Sequence, residues 1–272
     1  MQCRSCGYHR WLMTLPIATR MKICLPILGS GQGRSFLAGA LCALLSGYML
    51  TGWCDESTPE LSFKLTPSWY QSSDGNHASD INLRANLGPH AAWLGFYRDH
   101  AGFEQTRAGY EYTQDIGPAE IVWSGQSAAG GFLGGSINLH LGKPWYLIAG
   151  FGRTNLHTYY NLNFDPNDAI TLGVGGALFP HTELALYQIR DDRLGTGQRV
   201  THLYLRQELS DQNKLSLDGS YKSGQNEDGV VIHGYAMTVT YAHRHMFIRL
   251  AHDRYANFSN TTQNRISLGT NF

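Results

Sequence analysis

Beyond its first 54 residues, this chain of 272 residues lacks cysteine, is poor in charge and has no long apolar run. All five cysteines lie at or before residue 54, which excludes disulfide bonds from residues 55–272. Charged residues make up 15% of the chain, below the roughly 25% of soluble domains. No later segment approaches the roughly 18 consecutive apolar residues of a membrane helix. These absences exclude membrane helices from the main body and make an ordinary soluble domain a poor match.

The first 54 residues differ in charge from the rest. Residues 1–54 have five basic residues and no acidic one; because the chain has 21 residues of each sign, the remainder has 16 basic and 21 acidic residues. The apolar stretch Phe36–Trp53 follows basic residues and stops before two acidic ones, the layout of a secretory signal. We therefore expect residues 21–54 to be a signal peptide and residues 1–20 an upstream extension, with residues 55–272 as the mature protein.

Two alternatives concern this leader. Leu50–Cys54 faintly resembles a lipoprotein box, although Trp53 directly before the cysteine departs from it, and an uncleaved anchor helix is the other possibility. Cys3 and Cys6 have a spacing used by zinc ligands, but no further pair at matched spacing lies nearby. We expect no metal site there, and no cofactor anywhere in the chain.

From Glu60 onward, apolar and polar residues alternate in short segments separated by turn residues. In the second segment Ile81, Leu83, Ala85 and Leu87 share one face and Arg84 lies on the other; a slip of one residue would move Arg84 to the apolar face. Alternation at period two predicts β-strands with one face toward apolar surroundings. We predict about fourteen strands, at 61–70, 80–87, 90–99, 105–114, 118–125, 131–141, 144–154, 168–179, 181–191, 199–209, 213–223, 230–243, 245–256 and 262–272. The alternation is poor in the segments 90–99 and 181–191.

The connections between these segments alternate in length. Links of two or three residues, such as Gly88-Pro89 and Gly117-Pro118, alternate with longer polar or glycine-rich links, of which Asn155–Asn167 is the longest. Short turns at one end and longer loops at the other are typical of bacterial transmembrane barrels. An even strand number places both chain ends at the short-turn end.

A soluble β-sandwich is the alternative, because its strands also alternate. Aromatic residues near the segment ends favour the barrel, since such residues form belts at the two membrane surfaces. The aromatic residues in question are Trp69, Trp93, Tyr97, Tyr110, Tyr112, Trp123, Trp145, Tyr221, Tyr241, Tyr255 and Phe272.

The chain ends on an alternating segment, Arg265–Phe272, whose last residue is aromatic. This segment resembles the C-terminal assembly signal of bacterial outer-membrane β-barrel proteins. The resemblance implies a location in the outer membrane, contact with its lipids, and recognition of Phe272 by the barrel-assembly machinery. A last strand with a free edge would invite aggregation, so we expect it to pair with the first strand. The sequence thus predicts an all-β fold, a closed antiparallel up-and-down transmembrane barrel.

A barrel of about fourteen strands leaves a lumen, and the number of strands, without a plug domain, resembles small porins. We therefore expect a channel for diffusion of small polar solutes, with no nucleic-acid partner. The polar faces would line the pore, where charges of both signs can select solutes; the alternative is that they only pair with each other. The predicted lining residues are Lys64, Arg84, Arg107, Glu111, Glu120, Arg206, Glu208, Lys214, Asp218, Lys222, Arg249 and Asp253, with Arg265.

The longest link is the best candidate for a constriction inside the lumen. It contains His157, Tyr159, Tyr160, Phe164 and Asp165. An ordinary solvated loop is the alternative.

The alternatives to a channel are an enzyme and a structural barrel. A lipid-modifying enzyme, a lipase or an acyltransferase, would use a serine and a histidine at the membrane surface, and His77, Ser79 and Asp80 lie together near an outer loop. Their spacing matches no hydrolase pattern. A structural barrel would require a lumen filled by side chains. His243 and His245 lie in a short turn without a nearby carboxylate, which favours polar turn residues over metal ligands.

Overall fold

The computed structural model describes residues 59–162 and 165–272, which form fourteen antiparallel strands closed into a barrel. Each strand pairs with its neighbours in the chain, and the last pairs with the first. The predicted fold is therefore confirmed. The strands are β1 (Leu61–Ser72), β2 (His77–Leu87), β3 (His90–Asp99), β4 (Glu104–Ile116), β5 (Ala119–Ala128), β6 (Phe132–Leu141), β7 (Trp145–Thr154), β8 (Ala169–Phe179), β9 (Thr182–Asp191), β10 (Arg199–Ser210), β11 (Asn213–Gln225), β12 (Val231–His243), β13 (Met246–Asp253) and β14 (Gln263–Asn271).

The barrel closes through the pairing of β1 with β14. Lys64 lies opposite Asn271, and Trp69 lies opposite Ile266. At the end of the seam the amide of Phe63 donates to the carbonyl of Phe272 at 2.7 Å, and the amide of Phe272 donates back at 2.9 Å. The rings of these two residues are stacked, with centroids 5.7 Å apart. The last strand consequently has no free edge.

The connections differ at the two ends of the barrel. Those at one end contain two or three residues, whereas those at the other end include loops of up to fourteen residues, at 155–168. In two of the short turns Gly88 and Gly117 have φ angles of +55° and +58°, which only glycine adopts without steric cost. β1 begins and β14 ends at the short-turn end, as the sequence predicts.

The outer face of the barrel is apolar. Large aliphatic side chains are exposed there, and aromatic side chains occur toward both ends, for example Trp69 and Tyr235 at the loop end and Trp145 and Phe272 at the short-turn end. An apolar belt around a polar interior is the arrangement of a membrane-spanning barrel. The exposed aliphatic residues include Leu94, Leu133, Leu147, Leu172, Leu186, Leu203, Met237, Leu250 and Leu268.

Two details of the sequence prediction are wrong. Trp93 and Tyr97 do not belong to an outer aromatic belt: Trp93 lines the interior cavity, and Tyr97 is only 2% exposed. Residues 254–256, at the end of the predicted strand 245–256, are also not part of a strand, because β13 ends at Asp253. Tyr255 and Asn257 have left-handed backbone angles that break the extended conformation.

Within residues 59–162 and 165–272, no helix has the length and apolar character needed to cross a membrane. The predicted leader, with its signal peptide at 21–54, lies outside the described residues, as does Phe164.

We predict that Met237→Lys destabilises the barrel by about 2 to 4 kcal/mol, because a charge placed on the lipid face near the middle of the membrane is costly. Met237 is 52% exposed at the centre of β12. Its neighbour Thr238 faces the interior, and Thr238→Lys is the matched control, with an expected cost well below that of Met237→Lys. Urea unfolding in lipid vesicles measures both, and equal costs would contradict the assignment of the two faces.

Candidate functional site

The fourteen-residue loop at 155–168, named here the inserted loop, folds into the lumen. The Tyr160 ring stacks on Tyr97 of β3 with centroids 3.7 Å apart. The Tyr159 ring stacks on Phe132 of β6 at 4.3 Å, and Asp165 lies 3.0 Å from His202 of β10. Contacts with strands on different sides of the barrel show that the loop crosses the interior, rather than extending into solvent.

Side chains of the barrel wall hold the backbone of the inserted loop. Arg107 donates to the carbonyl of Tyr160 at 3.2 Å, and Arg265 donates to the carbonyl of Leu162 at 2.8 Å. Gln105 accepts from the Tyr160 amide at 2.9 Å and donates to the Thr158 carbonyl at 2.9 Å. Because a loop inside a barrel has no strand ladder to satisfy its peptide groups, these side chains take that role.

Arg107 is itself fixed by an ion pair with Asp80. Their side chains are 1% and 2% exposed, respectively. A buried ion pair depends on both partners, since loss of one leaves an uncompensated charge. The pair therefore ties the inserted loop to β2 and β4 together.

Asp168 holds the end of the inserted loop. Its carboxylate accepts from the Thr154 amide at 3.1 Å and hydroxyl at 2.6 Å, and from Arg193 at 2.8 Å. Burial alone would raise the pKa of Asp168, but the hydrogen bonds from Thr154 and Arg193 outweigh it and lower the pKa below its ordinary value. Asp168 is thus charged when the loop is anchored.

A cavity of about 990 Å³ passes beside the inserted loop. Its lining extends from Lys64 and Arg206, toward the short-turn end, to Arg153 and Asn167 at the loop end. Tyr159 forms part of its wall. A smaller cavity of about 370 Å³ is lined by the β10–β13 side of the barrel and shares some lining residues with the larger one. The inserted loop therefore narrows the lumen without filling it.

The structure distributes the predicted lining residues over three places. The larger cavity is lined by Lys64, Arg84, Arg107, Glu111, Arg206 and Arg249, with Arg265. The smaller cavity is lined by Asp218, Lys222 and Asp253, and also by Arg249 and Arg265. Glu120, Glu208 and Lys214 line neither cavity. Near the short-turn end, Glu208 pairs with Lys214 at 2.8 Å, and Glu120 lies 3.3 Å from His140.

The residues of the predicted constriction also separate. Tyr159 and Asp165 line the larger cavity, whereas Tyr160 packs against the wall. His157 is exposed and lines neither cavity, and Phe164 lies outside the described residues.

Most carboxylates of the lumen are already paired. Asp80 pairs with Arg107, Glu111 with Arg84 at 2.5 Å, and Asp253 with Lys222 at 2.5 Å. His202 lies between Asp165 and Asp218, 3.0 Å from an oxygen of each. By contrast, among the described residues no carboxylate forms an ion pair with Lys64, Arg206 or Arg249. The charges of both signs that the sequence predicts for the lumen thus mostly neutralise each other. Lys64, Arg206 and Arg249 are cationic side chains to which no described carboxylate is paired.

Sequence reasoning missed several interior residues. Glu183 accepts from the Tyr146 hydroxyl at 2.5 Å, and Tyr187 stacks on His202 with ring centroids 4.7 Å apart. Both Glu183 and Tyr187 belong to β9, whose sequence alternates poorly. The pairing of β9 with β10 fixes which residues of β9 face inward. The signal that could have identified these residues from the sequence is the clear alternation of the later strands.

The residues considered for an enzyme do not converge. His77 and Ser79 are exposed on one face of β2, whereas Asp80 lies on the other face in its ion pair with Arg107. His243 is the last residue of β12 and not part of the short turn, and its Nδ1 lies 2.8 Å from the side-chain oxygen of Asn213. In the part of the chain that the structure describes, no three histidine, cysteine or acidic side chains are grouped as metal ligands.

The fold defines the class of the protein as a closed fourteen-strand antiparallel barrel with a loop folded into its lumen. Among solved structures it is similar to the outer membrane protein Omp33 of Acinetobacter baumannii, with a TM-score of 0.51, 8% identity, and coverage of 79% of this chain and 100% of that one. A mutant porin of Rh. blastica matches with a TM-score of 0.47, 9% identity and coverage of 78% and 99%. The KdgM porin matches with a TM-score of 0.44, 9% identity and coverage of 77% and 99%.

No family model and no curated protein sequence matches the chain. At 8% identity, the likeness to Omp33 shows the fold alone.

We predict that Arg107→Leu destabilises the folded barrel by about 3 to 5 kcal/mol, because it leaves Asp80 buried without a partner. Arg98 on β3 provides the control, since its pair with Glu104 is 65% and 48% exposed. Arg98→Leu should cost about 1 kcal/mol or less. The measurement is urea unfolding of the refolded protein, and a small effect of Arg107→Leu would show that the buried pair does not anchor the loop.

We also predict that the end of the inserted loop loosens in acid. A carboxylate with a lowered pKa contributes stability above its ordinary pKa, about 4, and loses it as the pH falls through the lowered value. Hydrogen exchange at Thr154 and Leu156, corrected for intrinsic rates, should be slow at neutral pH and accelerate below about pH 4. Asp168→Asn should remove this pH dependence, whereas Asp211→Asn in an exposed turn should preserve it; retention of the dependence in Asp168→Asn would assign it to another group.

Proposed function

We propose that this protein is a channel of the bacterial outer membrane through which small polar solutes diffuse. One observation carries the proposal: a cavity of about 990 Å³ with polar lining residues passes along the barrel beside the inserted loop. A barrel that served only as a structural element would not need such a space. A polar lining can replace part of a solute's hydration while it passes through the apolar layer.

The location rests on the outer face and on the last strand. The apolar belt with aromatic residues at both ends would lie in hydrocarbon and at its two surfaces. The Phe272 ring is 65% exposed on the outer face at the short-turn end, where the barrel-assembly machinery could bind it before closure. In this proposal residues 21–54 direct export and are removed.

The inserted loop would set the size limit of the channel. Its Tyr159 ring is held on Phe132 and its hydroxyl donates to Gln126 at 3.2 Å. A ring fixed at two points keeps the passage at constant width, because it cannot move aside without losing both contacts. The loop would thus act as a rigid constriction.

Single-channel recording in planar bilayers tests the proposal. Refolded protein should produce step-like currents in KCl, and protein that has been heat-denatured should not. The complete absence of steps from protein shown to be folded would reject the channel.

We predict that Tyr159→Ala increases the single-channel conductance, because it removes a ring from the cavity wall. The substitution should also cost about 0.5 to 1.5 kcal/mol, since it removes the stacking on Phe132. His157→Ala is the matched control in the same loop, because His157 is exposed and does not line the cavity. Equal conductances of the two variants would place the narrowest part of the channel elsewhere.

A further inference from the structure

We propose that the lumen contains an anion-binding site formed by Lys64 and Arg249 beside the ring of Phe247, and that this site makes the channel prefer solutes carrying a carboxylate, phosphate or sulfate group. The inference rests on the proposed channel function and adds the class of solute. It depends on the charges that the lumen leaves without partners.

Three adjacent strands build the site. Lys64 lies on β1 and Arg249 on β13, with β14 between them. The Lys64 Nζ lies 4.6 Å from the centroid of the Phe247 ring, and the Arg249 Cζ lies 5.5 Å from the same centroid. The ring occupies the space above Gly269 of β14, where any larger residue would overlap it. A single aromatic ring therefore lies beside both cations.

The ring explains how two like charges can lie close together. A cation within about 6 Å of an aromatic centroid is attracted by the ring quadrupole, which offsets part of the repulsion between Lys64 and Arg249. The Arg249 Nε also donates to the Thr240 hydroxyl at 3.0 Å, which orients the guanidinium group. These contacts position the charges but do not neutralise them.

The surroundings do not supply a carboxylate. Arg84 lies directly opposite Lys64 in the register of β1 and β2, but Glu111 is bonded to Arg84 at 2.5 Å and 3.2 Å. Within the residues that the structure describes, neither Lys64 nor Arg249 forms an ion pair. Both line the larger cavity, which is open to a passing solute.

A mobile anion is therefore the group that would complete this site. Fixed charge in a narrow channel with low-dielectric walls raises the local concentration of the opposite ion. Both cations remain partly solvated in an open cavity, so the anion is bound weakly and can leave, as conduction requires.

The test is the reversal potential of wild-type channels in a KCl gradient. We expect chloride to be more permeant than potassium, and the double variant Lys64→Gln, Arg249→Gln to lower the permeability ratio by at least about threefold, since both unpaired charges are removed from the wall. Lys143→Gln, in an exposed turn at the same end of the barrel, is the control and should leave the ratio unchanged.

A second measurement needs no variant. The chloride preference of the wild type should decrease between 0.1 M and 1 M KCl, where the screening length falls from about 10 Å to about 3 Å. Potassium citrate and potassium phosphate, added separately, should each reduce the chloride current, whereas glucose at equal concentration should not. A difference between the two salts identifies the preferred anionic group.

The outcomes separate the two proposals. Absence of any current would reject the channel, and this inference with it. Current steps that favour potassium, or a chloride preference that the double variant and 1 M KCl leave unchanged, would reject the anion site and leave the channel intact.

Discussion

The structure depends on one constraint: every backbone amide and carbonyl facing hydrocarbon must be hydrogen-bonded within the chain. A sheet meets this constraint only if its two edges meet, and here the pairing of β1 with β14 joins them. That pairing fixes the register of the seam, and each further strand fixes that of its neighbour. Because successive side chains alternate in direction, the register in turn decides which residues face the lumen. The composition of the lumen is thus a consequence of closure.

A lumen creates a second problem, because the inserted loop within it also has peptide groups to satisfy. The wall solves it with side chains: Gln105, Arg107 and Arg265 all bond to the backbone of the loop. These contacts lie on β4 and β14, and further contacts of the loop reach β3, β6 and β10. Two of the anchoring residues, Arg107 and Arg265, line the larger cavity together with Tyr159 of the loop. The proposed passage therefore runs between the anchored loop and the barrel wall.

The sequence was sufficient for the fold, since the fold follows from a period of two and from the lengths of the connections. It identified Lys64, Arg84 and Arg249 as interior residues by parity alone. It was wrong about Trp93 and Tyr97, because their aromatic rings face inward, where Trp93 lies against Gly109 and Tyr97 against the inserted loop. The alternation of the sequence shows only which face of a strand is polar. Interior side chains that pack against the inserted loop do not have to be polar. The sequence also could not predict which charged residues form ion pairs, because the pairing depends on the register of three strands at once.

Several of these charges meet in the same way. Inward-facing side chains on strands separated by one strand can touch where the middle strand leaves room, and at these crossings glycine at the inward position provides it. The pair of Arg84 and Glu111 differs, because it crosses β3 beside Trp93 and Ala91. Arg107 reaches Asp80 past Gly95, a Cβ on which would approach Arg107 to 3.2 Å. The same arrangement recurs where Lys222 reaches Asp253 past Gly234 and where Tyr146 reaches Glu183 past Gly175. At Gly269 the crossing joins Lys64 to Arg249 through Phe247, two cations and a ring. The same geometry brings opposite charges together at Gly95 and Gly234, so the crossing at Gly269 has room for a carboxylate. It lacks one because the residues there are Lys64, Phe247 and Arg249. The crossing therefore leaves a site for an anion from solution.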